Sequence, residues 1–493
     1  MKVIILAAGM GSRLRPLTDA KPKSMVKVNG IPIIDYQIRA YLNAGVSESD
    51  IYVAVGYRSE IISNYVKSQY PEINIIVNKN YKNTNNMFSL YLCLTAIEED
   101  DIIISNGDCI YDFNIIREFI NCGLDNSIAC DKGYYSEENM KIIVQGKRIL
   151  HISKEIKQQN AYGTSIDLYK ISKKSIPILK SIINEMISSN PNLWMEFALD
   201  KLFQFVEFNP FNIDGKRWME IDTLDDLLEA ERKFSKISLK DKKSIIFDLD
   251  GTVYLGEMPI KGTVEFIIRN SNIYDIYFMT NNTSKKLDDY VLKLNKLGID
   301  VSKDKILSPL LPLVEYLRNN EIFNIYPLGN ENFKKYIKDK IPEIVFTDDG
   351  KKCQALIVAY DTELTYDKLR TASLLLKNPN IQFFATHEDL VCPTEYGNIP
   401  DAGAILKLLE VSTGRKPTIV FGKPNKILLE PVLKKYLPNE IVIVGDRIYT
   451  DMALAKNAGI DFILVLSGET KRVDVENLDV FPELILKDCG ELM

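Results

Sequence analysis

The stretch SIIFDLDGTVY, residues 244–254, places two aspartates two positions apart at the end of an apolar run. A short apolar run of this kind predicts a buried strand of a parallel sheet. Because side chains alternate along a strand, Asp248 and Asp250 point to the same side, beyond its carboxyl edge. Open α/β sheets bind ligands at that edge, so the pair predicts a candidate active site.

Three further segments end predicted strands and carry groups that suit a phosphate or Mg²⁺. They are FMTNNTS at 278–284 with Thr280 and Asn281, FGKPN at 421–425 with Lys423, and VIVGDRIYTD at 442–451 with Asp446 and Asp451. One carboxylate of the Asp248–Asp250 pair can attack phosphorus while the other protonates the leaving oxygen. The pair alone also suits an ordinary turn, but four such segments in order favour a phosphate site.

This set resembles the haloacid dehalogenase superfamily, in particular its phosphoglycolate and nitrophenyl phosphatase branch. The resemblance implies Asp248 as the nucleophile, Asp250 as the general acid and base, and Thr280, Asn281 and Lys423 as phosphate binders. It also implies a Mg²⁺ held by Asp248, Asp446 and the main-chain carbonyl of Asp250, with Asp451 in support. In the cap segment ATHEDLVCPTEYGNIPDAGAI, His387 and Asp401 depart from the family pattern. We expect His387 to be a surface residue of a loop, and contact with the substrate is the alternative.

The N-terminal strand VIILAA is followed by a glycine-containing loop that suits a triphosphate. Gly9 and Gly11 allow backbone N–H groups to approach phosphate oxygens, and Arg13 and Lys23 supply positive charge. The run G-x-G-x-R-L-x-P-L-T-x-x-x-P-K-x-M, residues 9–25, resembles the signature of sugar-phosphate and choline-phosphate nucleotidyltransferases. The resemblance implies that Ala8, Gly9, Gly11 and Arg13 bind the nucleotide and that Lys23 is catalytic.

Two acidic segments of the N-terminal part provide candidate Mg²⁺ ligands. Asp108 follows a strand in SNGDCIYD, and Asp222 lies in WMEIDTLDDL, with Glu220 as a weaker neighbour. The resemblance implies that Asp108 and Asp222 carry the metal. For Asp222 the alternative is a helix N-cap, a role for which Thr223 competes.

The pattern Y-x-x-x-N-N-x-x-S, from Tyr81 to Ser89, looks like that of bacterial choline-phosphate cytidylyltransferases, which act in surface-glycan pathways. It favours CTP, with Asn85, Asn86 and Ser89 near the nucleotide or the acceptor; a helix-capping loop is the alternative. Three aromatic residues could enclose an ammonium group by cation–π contacts, assisted by Glu196. They are Tyr162, Trp194 and Trp218.

Alternating apolar runs and helical patterns predict an α/β fold with two Rossmann-like three-layer domains. We place a nucleotidyltransferase domain at 1–234, a polar, lysine-rich linker at 235–243 and a phosphatase domain at 244–493. Another α/β block, at about 323–400, predicts an inserted cap.

The bulk composition excludes several function classes. The net charge of −6 argues against nucleic-acid binding, and the absence of a long apolar run argues against a membrane span or signal peptide, so we expect a cytoplasmic protein. Seven scattered cysteines and two histidines leave little basis for disulfides, zinc or histidine-based catalysis.

Three interpretations stay open at this stage. The chain is a bifunctional CTP-dependent cytidylyltransferase and phosphatase, with phosphocholine, phosphoethanolamine or a polyol phosphate as acceptor. Alternatively, it uses a sugar 1-phosphate with UTP or dTTP, or one of its domains is catalytically silent and serves as a binding module. The sequence allows a homo-oligomer without indicating one.

Overall fold

The computed structural model describes residues 1–98, 100–235, 237–394 and 397–493. Its chain forms two compact units. The first unit comprises Met1–Phe234 with Glu476–Phe481, and the second comprises Ser235–Val475 with Pro482–Met493. The predicted linker at 235–243 follows the first break between units, and its residue 236 lies outside the described residues.

A nine-stranded sheet forms the centre of the first unit. Its parallel strands run in the order Ile102–Asn106, Lys2–Ala7, Ile51–Val55, Asn74–Val77. Next to Ile102–Asn106, the sheet continues with strands that are mostly antiparallel: Gly163–Ile171, Lys141–Gln145, Arg148–Ser153, Ser127–Lys132 and Asn209–Asn212. The parallel half therefore brings several strand ends to one edge.

Helices cover both faces of this sheet. Alternate residues of one strand enter different cores: Ile4 and Leu6 pack in one cluster, and Val3 and Ile5 in another. This alternation produces the three-layer arrangement expected for strands buried on both faces. The helices are Ile33–Asn43, Ser59–Gln69, Asn86–Ala96, Phe113–Ile120, Ile176–Ser189, Met195–Leu202 and Leu224–Lys233.

The second unit contains two parallel sheets. The six-stranded sheet has the order Ile306–Leu307, Asp275–Met279, Ser244–Asp248, Ile441–Gly445, Asp461–Val465, Leu484–Leu486. The five-stranded sheet has the order Val345–Phe346, Asn324–Leu328, Ala355–Val358, Gln382–Ala385, Ile419–Val420. Because its last strand follows residue 400, the inserted block contains more chain than the range of 323–400 covers.

Helices of the second unit pack against these sheets, and the remaining strands form short pairs. The helices are Lys261–Asn270, Leu287–Lys296, Leu310–Asn319, Glu331–Lys340, Tyr366–Leu375, Ala402–Thr413, Glu430–Leu433, Ala453–Ala458 and Arg472–Val475. The paired strands of the whole chain are Lys27–Val28 with Ile31–Pro32, Cys109–Tyr111 with Trp218–Glu220, Tyr254–Leu255 with Met258–Pro259, and Val391–Thr394 with Gly397–Pro400. Among the described residues, every helix is too short or too polar to cross a bilayer.

Candidate active sites

A cavity of about 300 Å³ opens at the carboxyl edge of the parallel strands in the first unit. Main-chain segments after three of these strands contribute to its wall, at Ala8, Asn78 and Gly107. Polar and charged side chains dominate the rest of the wall. They include Arg13, Lys23, Asn85, Asn86, Ser89, Asp108, Lys154, Asp167, Glu196, Glu220 and Asp222.

Lys23 lies at the centre of the acidic part of this wall. Its Nζ donates to Oδ2 of Asp108 at 2.7 Å and also to Oδ1 of Asp222. Burial alone would lower the pKa of Lys23, but the two carboxylates outweigh it and raise the pKa above the ordinary lysine value. The lysine is therefore charged at any physiological pH, and the structure brings these three predicted site residues together.

The glycine loop holds this lysine at close range. Gly11 has φ +62°, and a Cβ placed there would lie 2.8 Å from the Cβ of Lys23. Gly11 therefore packs against the lysine, whereas Ala8, Gly9 and Arg13 line the cavity. The Arg13 guanidinium pairs with Asp222 and, at 3.1 Å, with Glu138.

Three carboxyl groups could bind a cation in this cavity. Ligand atoms of Asp108, Glu220 and Asp222 all lie within 4.8 Å of one another, and hard oxygen donors of this kind suit Mg²⁺. Burial, followed by the charges of Asp167 and Asp108, raises the pKa of Glu220 to about 9. The helix after Asp222 is capped by Thr223, whose Oγ1 accepts from Asp226 N at 3.2 Å, so the N-cap interpretation of Asp222 is wrong.

Asn85 and Asn86, at the start of helix Asn86–Ala96, make different contacts. Asn85 caps the helix, and its Oδ1 accepts from Asn86 N at 2.8 Å. The Oδ1 of Asn86 accepts from Met195 N at 2.8 Å. Ser89 accepts from the side chain of Asn78 at 3.0 Å. The capping alternative therefore holds for Asn85, although the two asparagines and Ser89 also line the cavity.

The predicted aromatic box does not form. Trp194 lines the cavity, but Tyr162 and Trp218 are not part of its wall. Trp218 is buried, and its Nε1 donates to Asp131 at 3.0 Å. Tyr162 instead packs under the ammonium of Lys132. The rings of Tyr162 and Trp218 are held by neighbours outside the cavity, which residue type and sequence position could not indicate.

Two charged cavity residues escaped the sequence analysis. Lys154 adds a third cation to the wall, and its ammonium lies 4.9 Å from the Trp194 ring centroid. Asp167 lies within the strand Gly163–Ile171 and has φ +58°. Neither residue belongs to a motif, and a reversal of φ inside a strand leaves no signal in the hydrophobic pattern.

The second unit also has a lysine between two carboxylates, at the carboxyl edge of its six-stranded sheet. Lys423 Nζ donates to Oδ1 of Asp248 at 2.5 Å and to Oδ1 of Asp451 at 2.6 Å. All three side chains are buried. Burial alone would lower the pKa of Lys423, but these carboxylates raise it. The chain thus joins three of the four predicted segments in one cluster.

The carboxylates of this cluster fit a divalent cation. Ligand atoms of Asp248, Asp446 and Asp451 lie within 4.8 Å of one another. Oδ1 of Asp446 is buried and has no hydrogen-bond partner among the described residues, although Oδ2 accepts from Glu469 N. A buried carboxylate oxygen without a donor is costly, and a cation would satisfy it. Gly468 leaves room for this carboxylate, because a Cβ there would meet it at 2.0 Å.

The remaining predicted residues of this site differ in burial and contacts: Asp250, Thr280 and Asn281. Asp250 is exposed, and its side chain is not one of the grouped carboxylates. Thr280 is buried beside the cluster at the end of its strand, and its Oγ1 accepts from Asn282 N at 3.1 Å. Oδ1 of Asn281 accepts from Lys423 N at 2.8 Å, so this amide positions the lysine segment.

His387 differs from the sequence expectation. Its side chain is fully buried, with Nδ1 2.9 Å from Thr386 Oγ1 and Nε2 2.8 Å from Asp401 Oδ1. The surface assignment is therefore wrong. The two departures from the family pattern, His387 and Asp401, compensate one another by pairing.

Comparisons with known proteins match parts of both units. The nucleotidyl transferase family matches residues 2–130, the haloacid dehalogenase-like hydrolase family matches 245–340, and a related hydrolase family matches 420–492. An acid sugar phosphatase of Staphylococcus saprophyticus is 32% identical over 260 residues, 52% of this chain and 98% of that protein. The acid sugar phosphatase of Staphylococcus haemolyticus is 29% identical over 257 residues, 51% of this chain and 95% of that protein.

A solved structure gives a similar match. The 4-nitrophenylphosphatase of Thermotoga maritima is 36% identical, with a TM-score of 0.48, 52% of this chain covered and 97% of that chain. The sequence relatives and family matches identify the second unit, and the family match from residue 2 identifies the first. The chain belongs to the haloacid dehalogenase-like hydrolases and carries a nucleotidyl transferase domain ahead of its hydrolase domain.

Proposed function

We propose that the chain is a bifunctional enzyme with two separate phosphate chemistries. The first unit transfers a cytidylyl group from CTP to a small phosphorylated alcohol, and the second hydrolyses a phosphate monoester. The observation that carries this proposal is the same in both units: a buried lysine between two carboxylates at the carboxyl edge of a parallel sheet. Such a cluster can neutralise a phosphoryl group and hold a divalent cation.

In the first unit, a phosphate oxygen of the acceptor attacks the α-phosphorus of CTP. The bond from that phosphorus to the bridging oxygen breaks, and pyrophosphate leaves with the electron pair. Arg13, Lys23 and Lys154 line the cavity and would neutralise the transferred and leaving groups. The segment from Tyr81 to Ser89, whose Asn85, Asn86 and Ser89 line the cavity, supports a small acceptor such as phosphocholine, phosphoethanolamine or a polyol phosphate.

In the second unit, Asp248 attacks the phosphorus and the alcohol leaves with a proton from Asp250. Water then cleaves the phosphoaspartate with Asp250 as the base, so aspartate and inorganic phosphate are restored. Lys423 and Thr280 neutralise and orient the phosphoryl oxygens. Bound Mg²⁺, held by Asp108 and Asp222 in one site and by Asp248 and Asp446 in the other, would spread negative charge at each phosphoryl group.

The substrate of the hydrolase is proposed from its relatives. Since the relatives are named acid sugar phosphatases, we propose a sugar phosphate or a similar small phosphate ester. It should differ from the acceptor of the first unit, because hydrolysis of that acceptor would oppose the transfer reaction. We place both activities in the cytosol, where nucleoside triphosphates are available.

The test separates the two activities in one chain. We expect Lys23→Ala to lower pyrophosphate release from CTP and a panel of phosphorylated alcohols by at least about 1,000-fold and to spare hydrolysis of 4-nitrophenyl phosphate. Asp248→Asn should do the reverse, because an amide cannot act as the nucleophile. Lys303→Ala and Asp288→Asn, which change the two partners of one exposed surface ion pair, are the matched controls.

Two results would contradict the proposal. If no acceptor supports pyrophosphate release with CTP, UTP or dTTP, the first unit is not a transferase of this kind. If Asp248→Asn retains full hydrolysis, the assigned nucleophile is wrong.

A further inference from the structure

Six residues late in the chain, Glu476–Phe481, pack with the first unit, although the residues before and after them belong to the second. The helix Arg472–Val475 ends directly before this segment, and the strand Leu484–Leu486 begins three residues after it. That strand pairs with Asp461–Val465 in the six-stranded sheet. The segment, which we call the strap, is therefore anchored by secondary structure close to both of its ends.

The first residue of the strap forms an ion pair with the segment that carries Lys23. Glu476 is only 5% exposed, and its carboxylate accepts from the ammonium of Lys21. Lys21 lies two residues before Lys23, and Pro22 between them restricts the backbone, with φ −63°. A short turn, Lys23–Met25, begins directly after that proline. Because this connection is short and stiff, the position of Lys21 constrains the position of Lys23.

The last residue of the strap contacts the chain on the other side of Lys23. A Cβ placed on Gly30, which has φ +80°, would lie 3.1 Å from the Cβ of Phe481. The ammonium of Lys27 lies 5.5 Å from the centroid of the Phe481 ring, within the range of a cation–π contact. The strap therefore contacts residues 21–30 both before and after their catalytic lysine.

The burial pattern of the strap suits positioning better than apolar packing. A segment that only covered a hydrophobic core would bury its aliphatic side chains, and glutamate is almost never fully buried unless it is paired. Of the six strap residues, all of which the structure describes, only Glu476 is buried, whereas Val480 is 41% exposed. The ion pair with Lys21 is thus the most protected contact of this segment.

We propose that the strap is a positioning element for the transferase, in which Glu476 acts through Lys21 to fix the segment that carries Lys23. The inference rests on the proposed transferase function of the first unit. Glu476 is a positioning residue, because it contacts Lys21 and not the cavity wall that would hold the substrates. The hydrolase part of the chain thereby supplies a contact on which the other activity depends.

The full-length variant Glu476→Gln tests the ion pair. Displacement of a catalytic group by about 1 Å can cost about 100-fold in rate, so we expect partial release of Lys23 to lower kcat for pyrophosphate release about 10-fold. The KM for CTP should change by less than about 3-fold, since the cavity wall itself is unaltered. Hydrolysis of 4-nitrophenyl phosphate by the second unit should stay within about 2-fold of the wild-type rate.

A double-mutant cycle and a matched control locate the effect. Lys21→Met should cause the same loss of kcat as Glu476→Gln, and the two changes together should cost about 10-fold rather than about 100-fold, because they break one contact. Asp479→Asn changes an exposed acid of the same strap and should leave both activities unchanged. Additive losses in the double variant overturn the inference.

Amide hydrogen exchange gives a measurement that does not depend on activity. We expect residues 21–30 to exchange about 10-fold faster in Glu476→Gln than in the wild type, because the segment opens more often. Unchanged exchange, unchanged kcat for transfer, or an equal loss of hydrolysis overturns the inference and leaves the transferase function standing. No pyrophosphate release by the wild type with any acceptor overturns both.

Discussion

Glu196 is a buried carboxyl group whose ionisation opposes folding. Its pKa is raised from 4.5 to about 7 in the folded chain, by burial first and by Asp167 second. Between these two values the folded state binds more protons than the unfolded state, so stability falls as the pH rises. The stabilising effect of the tightly held proton is complete below pH 4.5 and is lost above pH 7.

We predict that Glu196→Gln stabilises the protein at pH 8 but not at pH 4.5. Glutamine has no charge to bury, so the gain should be about 2 kcal/mol at pH 8, or about 4–8 °C in the thermal midpoint of its unit. Thermal unfolding at the two pH values measures this. Glu185→Gln, whose side chain is 70% exposed, is the control and should shift neither midpoint. An equal shift of the Glu196 variant at both pH values would contradict the prediction.

Some site residues could be predicted from the sequence and others could not. Lys23, Asp108 and Asp222 could be identified because each lies in a segment that matches a family motif. Asp108 follows the parallel strand Ile102–Asn106, whereas Asp222 follows Trp218–Glu220, a strand of a separate antiparallel pair. Asp167 could not be identified, since its φ reversal depends on an irregular pairing with another strand. His387 was misplaced because its burial depends on Asp401, which is 14 residues away.

The N-terminal cap of the helix Leu224–Lys233 also contacts the site residue Asp222. Thr223 caps it in a reciprocal arrangement: Thr223 Oγ1 accepts from Asp226 N, and Asp226 Oδ2 accepts from Thr223 N at 2.8 Å. The same Oδ2 accepts from Asp222 N at 3.1 Å. The cap therefore also orients Asp222, which pairs with Lys23.

Removal of the cap should therefore affect both stability and transfer. We predict that Thr223→Ala costs about 1 kcal/mol of stability and lowers pyrophosphate release about 3- to 10-fold. The reason is that the Thr223 hydroxyl no longer donates to the Asp226 carboxylate, which accepts from Asp222 N. Thr223→Ser keeps the hydroxyl and should restore both. Calorimetry and a pyrophosphate assay are the measurements. Loss of stability with full activity would show that the cap does not position Asp222.

At the level of elements, the buried parallel strands were predictable and the added strands were not. VIILAA and SIIFDLD are continuous apolar runs, as strands buried on both faces must be. The antiparallel part of the first sheet is harder to predict. In Arg148–Ser153, for example, two successive residues are exposed where the pairing with Lys141–Gln145 is irregular. Ile419–Val420 is a two-residue strand that belongs to the inserted sheet only through its pairing with Gln382–Ala385.

Across the whole molecule, both carboxylate clusters contain their own counter-charge. Lys23 and Lys423 each pair with two carboxylates, so neither fold requires a bound cation to relieve repulsion. We predict that EDTA lowers both activities at least about 100-fold but lowers the thermal midpoints by less than about 5 °C. Added Mg²⁺ should restore both activities. Unfolding in EDTA, or either activity persisting in it, would contradict this expectation.

The ion pair between Asp248 and Lys423 spans 175 residues of chain, and this separation matters during synthesis. At ~5–20 residues per second, a ribosome needs about 10–35 s to reach the lysine after it has made the aspartate. Throughout that interval the apolar strand Ser244–Asp248 can pair with Asp275–Met279 on one side only, because Ile441–Gly445 emerges later still. The nascent chain must therefore protect one unpaired edge of this apolar strand from aggregation until Ile441–Gly445 has been synthesised.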